Sequence, residues 1–147
     1  MANNYTKFSF RVAANAAEQE WLRQTYDRIE AVTFHETEPA NEWEKSLLDH
    51  GSAGFELFYD EDSITITSAE DGDVQVVCQV LQRFLRHFHS PARIGFDWAE
   101  TCSQLRPGEF GGGAAVISAT NITIQSTAEL LQKMLNENSP TGTEIAD

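Results

Sequence analysis

The stretch Phe55–Ser68 reads FELFYDEDSITITS. Two runs rich in aromatic and β-branched residues, Phe55–Tyr59 and Ile64–Thr67, flank Asp60-Glu61-Asp62-Ser63, whose short polar side chains favour a turn. The pattern predicts an antiparallel hairpin. What stands before it sets the rest of the topology. From Tyr5 to Val12 the chain alternates, with Phe8, Phe10 and Val12 on one side and Lys7, Ser9 and Arg11 on the other, as in a half-buried strand. Asn15 then precedes Glu18 at the spacing of a capping box. Trp21, Leu22, Thr25, Tyr26, Ile29 and Val32 follow as one stripe of a helix ending near Val32. The first two strands are therefore separated by a helix and cannot form a tight hairpin, whereas the second and third can.

Pro39 interrupts the next segment, and a short helix is expected over Glu42–Asp49, ended by Gly51, with Trp43, Leu47 and Leu48 turned inward. Val74, Val77, Cys78, Leu81, Phe84, Leu85 and Phe88 recur at helical spacing, and Ser90-Pro91 is read as the stop. Arg83, Arg86, His87 and His89 gather near the end of that helix, where its dipole favours cations. A strand is expected over Ala92–Trp98, then a second hairpin from Ala114–Ser118 and Ile122–Gln125. Ser126 and Glu129 have capping-box spacing before a last helix through Leu130, Leu131, Met134 and Leu135.

This order predicts an α+β domain over residues 1–137, with an antiparallel or mixed sheet and helices on one face. Its first six principal elements match the split β-α-β pattern of ferredoxin-like folds, to which an extra hairpin and a C-terminal helix are added. The polar residues 138–147 are expected to form a disordered tail.

A chain of 147 residues suits one domain and can bury roughly 70% of its unfolded surface, so it needs no covalent staple. The two cysteines, Cys78 and Cys102, are expected as reduced thiols. No apolar run reaches membrane-spanning length and the N-terminus lacks the pattern of a secretory signal, so a cytoplasmic location is expected. Asp and Glu number 23 against 10 Lys and Arg, a net charge of −13. That balance disfavours direct binding to nucleic acid or to an anionic membrane. It suits plain colloidal stability or a partner with a basic surface.

The chemically richest stretch is Trp98–Val116, WAETCSQLRPGEFGGGAAV. Cys102 as a nucleophile would need an activating base and cationic surroundings, but Glu100 and Glu109 flank it and no histidine is near in sequence. Gly111, Gly112 and Gly113 could cradle an anion, yet neither a Walker nor a dinucleotide pattern surrounds them. His87 and His89 lie two apart on a helix and do not face each other, and the acidic stretches Asp60–Asp62 and Glu70–Asp73 lack the spacing of calcium loops. No cofactor or metal is therefore called for.

Arg106-Pro107-Gly108-Glu109 reads as a turn, and the glycines as the entry to a strand, close to another backbone or to a large side chain such as Trp98. The expectation is a non-catalytic interaction domain, with a protein partner or a second copy of the chain. Its candidate contact region is Trp98, Cys102, Arg106, Glu109, Phe110, Gly111, Gly112 and Gly113. Two other readings are an acidic mimic that blocks a nucleic-acid-binding protein, and a thiol enzyme using Cys102.

Overall fold

The computed structural model describes residues 2–138. Most of the expected tail, residues 139–147, lies outside the described residues. The elements run β1 (Asn4–Ala13), α1 (Ala16–Thr33), α2 (Glu42–Ser46) with one further turn at Leu47–Asp49, β2 (Glu56–Tyr59), β3 (Ser63–Ser68), α3 (Val74–His87), β4 (Ile94–Cys102), β5 (Gly111–Ile117), β6 (Ile122–Ser126) and α4 (Thr127–Glu137). The six strands form one sheet in the order β2-β3-β1-β4-β5-β6, and every neighbouring pair is antiparallel.

Register places Phe10 opposite Ile66 and Val12 opposite Ile64, while Phe96 faces Ala115 and Ile94 faces Ile117. Because side chains alternate along a strand, these residues share one face. Leu22, Ile29 and Val32 of α1 and Val77, Leu81, Phe84 and Leu85 of α3 pack on that face as one core. The stacked rings of Phe10 and Phe96, 4.4 Å apart, tie β1 to β4 within it. On the other face Ser9, Arg11, Gly95, Asp97, Ala114 and Thr123 are exposed.

Local rules account for the element ends. Asn15 accepts from the Glu18 amide and Glu18 accepts from the Asn15 amide, the reciprocal box that starts α1. Ser126 accepts from the Glu129 amide to start α4. Gln19, buried on the first turn of α1, donates to the carbonyls of Ala14, Asp60 and Ser63 at 2.9, 2.9 and 3.3 Å. One amide group thus satisfies the turn between β2 and β3 and locks it to α1.

Three boundaries differ from the sequence reading. The helix α3 ends at His87 rather than at Ser90-Pro91, because His89 turns left-handed with φ 49° and Ser90 bonds back to the Leu85 carbonyl. The strand β4 continues four residues beyond Trp98, because it is paired on both sides: Glu100 lies opposite Thr6 of β1 and Gly111 of β5. For the same reason β5 begins at Gly111, three residues before the expected start, and the glycines lie inside the sheet.

The short α2 is held to α1 by charge. Glu44, only 6% exposed, receives two hydrogen bonds from the Arg28 guanidinium at 2.7 Å and one from the Ala40 amide at 2.7 Å. The Arg28 hydrogen bond holds the Glu44 carboxyl below its usual range. Removing this hub by Glu44→Ala is expected to destabilise the fold by roughly 2 kcal/mol, the scale of charge-assisted bonds, measured by urea unfolding. A folded carboxylate held below its unfolded value stabilises fully above the unfolded value, about 4.3, and loses that contribution as pH falls through the folded one. The difference between wild type and Glu44→Ala should therefore be full at pH 7 and shrink on acidification below about pH 4.

Candidate functional site

The expected contact stretch is divided by the fold. Trp98 and Cys102 belong to β4 and Gly111, Gly112 and Gly113 to β5, so only Arg106, Glu109 and Phe110 of that set lie in the connecting loop. The loop begins with Ser103, whose amide donates to Asn3 and whose hydroxyl accepts from the Asn3 amide. Its tip is the turn Arg106–Glu109, closed by the Glu109 amide on the Arg106 carbonyl, with Gly108 at φ +79° where a type II turn requires a positive angle. Leu105 is 93% exposed and Phe110 48%.

Glycine is required at two places in β5. A Cβ on Gly113 would stand 2.5 Å from the Trp98 ring, which lies across that residue, and one on Gly112 would stand 2.2 Å from the Trp98 carbonyl. The Trp98 indole then donates to Glu100 at 3.1 Å and fixes that carboxylate beside the loop. Cys102 is buried at the end of β4 opposite Asn4, and Cys78 is buried in α3; both are free thiols. Burial pushes the Cys78 thiol up to about 11, reinforced by Asp73. Among the described residues no histidine bonds to Cys102, and no three His, Cys, Asp or Glu side chains gather as metal ligands. No described helix is long and apolar enough to cross a membrane.

At this end of the sheet the structure brings together carboxylates that are far apart in the chain. After β3 the backbone runs beside β1: the Thr6 amide donates to the Glu70 carbonyl at 2.7 Å and the Gly72 amide to the Thr6 carbonyl at 3.0 Å. Gly72 is needed there, because a Cβ would meet the Phe8 ring at 2.6 Å. Glu70 and Asp71 thus form a wall shared by two clefts. One, of about 300 Å³, is also lined by Glu30 and Glu56 with Tyr26 and Phe55. The other, of about 370 Å³, is also lined by Glu100 and Glu109 with Phe110 at its edge.

Among the described residues, neither cleft has a Lys, Arg or His in its lining. Burial and neighbouring acids act on the titratable groups of the first cleft. The Glu30 carboxyl is raised by burial and by Asp27 and Glu36, and the Tyr26 hydroxyl is pushed up to about 12 by burial, then by Glu30 and Glu56. The acidic stretch Glu70–Asp73 is evident in the sequence, but its approach to Glu100 and Glu109 is not, since strand order makes that juxtaposition.

Comparison of the chain with protein-family models, with curated proteins and with solved structures found no match.

Proposed function

We propose that this protein is a non-catalytic, cytoplasmic interaction domain that binds a protein with a basic surface, using the two acidic clefts and the 103–110 loop. The observation that carries this reading is the loop's apolar display: Phe110 stands exposed at a cleft whose carboxylates no described lining cation offsets, and Leu105 is exposed on the same loop. An apolar side chain at the rim of a single-sign charged cleft suits a partner with cations around an apolar pocket. We also read the framework as a ferredoxin-like split core of β1, α1, β2, β3, α3 and β4, extended by β5, β6 and α4. The order β2-β3-β1-β4 supports that assignment.

A second reading, an acidic mimic of nucleic acid, draws support from the shared Glu70-Asp71 wall, which joins the acidic linings of the two clefts. The two readings call for the same first experiment. Binding of a synthetic peptide alternating lysine and leucine is measured by calorimetry at several salt concentrations. The combined variant Glu70→Gln, Asp71→Asn, Glu100→Gln is compared with Glu38→Gln, Glu42→Gln, Glu61→Gln, which removes the same charge outside both cleft linings. The cleft variant is expected to lose about tenfold in affinity and the control much less, with Phe110→Ala costing roughly threefold to tenfold. Equal losses in both charge variants would reduce the clefts to general acidity. Mimicry is separated by competition: a duplex DNA should displace a mimic from its partner.

A further inference from the structure

A different surface, independent of the clefts, has one occupant that its charge selects. The strand β6 is an edge of the sheet, with one side of its backbone ladder unpaired. Edge strands in monomeric proteins are usually guarded by charge, shortness or a covering element. The opposite edge is guarded in this way. β2 is four residues long, begins at Glu56 and runs into the Asp60-Glu61-Asp62 turn, and Arg23 of α1 lies over the Tyr59 ring at 4.3 Å.

β6 is also short, at five residues, but among the described residues it carries no charge and meets no cation of a neighbouring element. From Gly111 to Ala128 there is no charged residue, in a chain that is 22% charged. Ile124 in the middle of β6 is 37% exposed. The helix that follows is amphipathic, yet none of its residues is buried: Leu130, Leu131, Met134 and Leu135 are 42, 57, 50 and 57% exposed. Their spacing puts these four on one helical stripe, and among the described residues nothing covers it. Thr127 bonds the start of the helix to the Gly112 carbonyl, so α4 leaves the sheet directly from β6; its charged residues Glu129, Lys133 and Glu137 lie off the leucine and methionine stripe.

We infer that this face is a homodimer contact, in which β6 pairs antiparallel with β6 of a second copy and the apolar side of α4 is covered in the same interface. Antiparallel pairing of a strand with itself is self-complementary about a two-fold axis and extends two six-stranded sheets into one. A two-fold through Ile124 sets Ile124 against its counterpart and Ile122 against Ser126. Charge selects the occupant. Two chains of net charge −13 repel across most of their surfaces, and the uncharged strand β6 with the apolar stripe of α4 is where like copies approach with the fewest opposing carboxylates. A basic partner would be drawn instead to the clefts.

The test is sedimentation equilibrium of the full chain at roughly 50 µM, in low and high salt. The expected result is twice the 16.4 kDa chain mass, with association held or strengthened by salt, because salt screens repulsion between the acidic copies while leaving an apolar contact intact. Ile124→Glu, and separately Leu131→Glu with Leu135→Glu, should weaken the dimer at least about tenfold, because each buries like or unpaired charge. These positions are exposed in the monomer, so circular dichroism should stay unchanged. Phe110→Glu, on the loop, should leave the dimer intact. A wild-type chain that sediments at 16.4 kDa in both salts overturns the proposal and leaves the face to residues 139–147 or to an unlike protein; dimers that persist in both charge variants overturn it as well.

Discussion

Gly112→Ala is expected to destabilise the protein by about 3 kcal/mol or more, which for a domain of this size lowers Tm by roughly 10 °C. Two costs combine at this position. Its φ of +151° is one that side chains with a Cβ rarely adopt, and the added carbon would stand 2.2 Å from the Trp98 carbonyl. That oxygen belongs to the backbone of a strand paired on both sides, so it has little freedom to move away. Gly113→Ala should be nearly as damaging, and truncating Trp98 should not rescue it, because the Gln125 carbonyl of β6 stands 2.4 Å from the same site. Gly95→Ala is the control: the nearest atom would lie at 3.6 Å and the substitution should be close to neutral. Thermal unfolding of the three variants checks the order. Equal, small effects would mean that β4 and β5 can separate more easily than their register implies.

Leu81→Ala has the other large expected effect, a loss of about 3 kcal/mol within the range of roughly 2–5 for such truncations. Leu81 is fully buried in α3, in the core against the sheet. A cavity there is walled by a helix on one side and a sheet on the other, neither of which collapses readily. The better helix propensity of alanine returns only a few tenths of a kcal/mol. Leu105→Ala, at 93% exposure, removes the same atoms from solvent and should change stability by less than about 0.5 kcal/mol. Urea denaturation curves of the pair separate burial from composition.

Much of the architecture was legible because it is written in short-range signals. The hairpin of β2 and β3, the cap at Asn15 and Glu18, and the apolar repeat of α3 all depend on residues within a few positions of one another. The misplaced boundaries have a different origin. Nothing between Ala99 and Cys102 alternates strongly enough to announce a strand, and three glycines argue against one; pairing of Ala99–Cys102 with β1 and of Gly111–Gly113 with β4 overrides those local preferences. The early end of α3 depends on a left-handed histidine, a conformation that no local rule assigns to His89.

The candidate site was legible only in part. The turn at Arg106–Glu109 and the proximity of Trp98 to the glycines followed from residue type, because proline, glycine and a large ring each restrict what the backbone can do. The acidic clefts did not follow. Glu30 sits on α1, Glu70 and Asp71 on the approach to α3, Glu100 on β4 and Glu109 in the loop; the packing of α1 sets Glu30 with Glu70 and Asp71 in one cleft, and the placement of β1 between β3 and β4 sets Glu100 and Glu109 with them in the other.

By itself, then, the amino-acid sequence determined the kinds of element, their order, the net charge and the neutral run from Gly111 to Ala128, since each is a property of residue type and near-neighbour spacing. The tertiary structure alone decided which strand lies at the edge, which carboxylates share a cleft and which apolar stripe is left uncovered. The α4 stripe has the same helical period as the buried stripe of α3, and periodicity reports that a face is apolar without reporting what covers it.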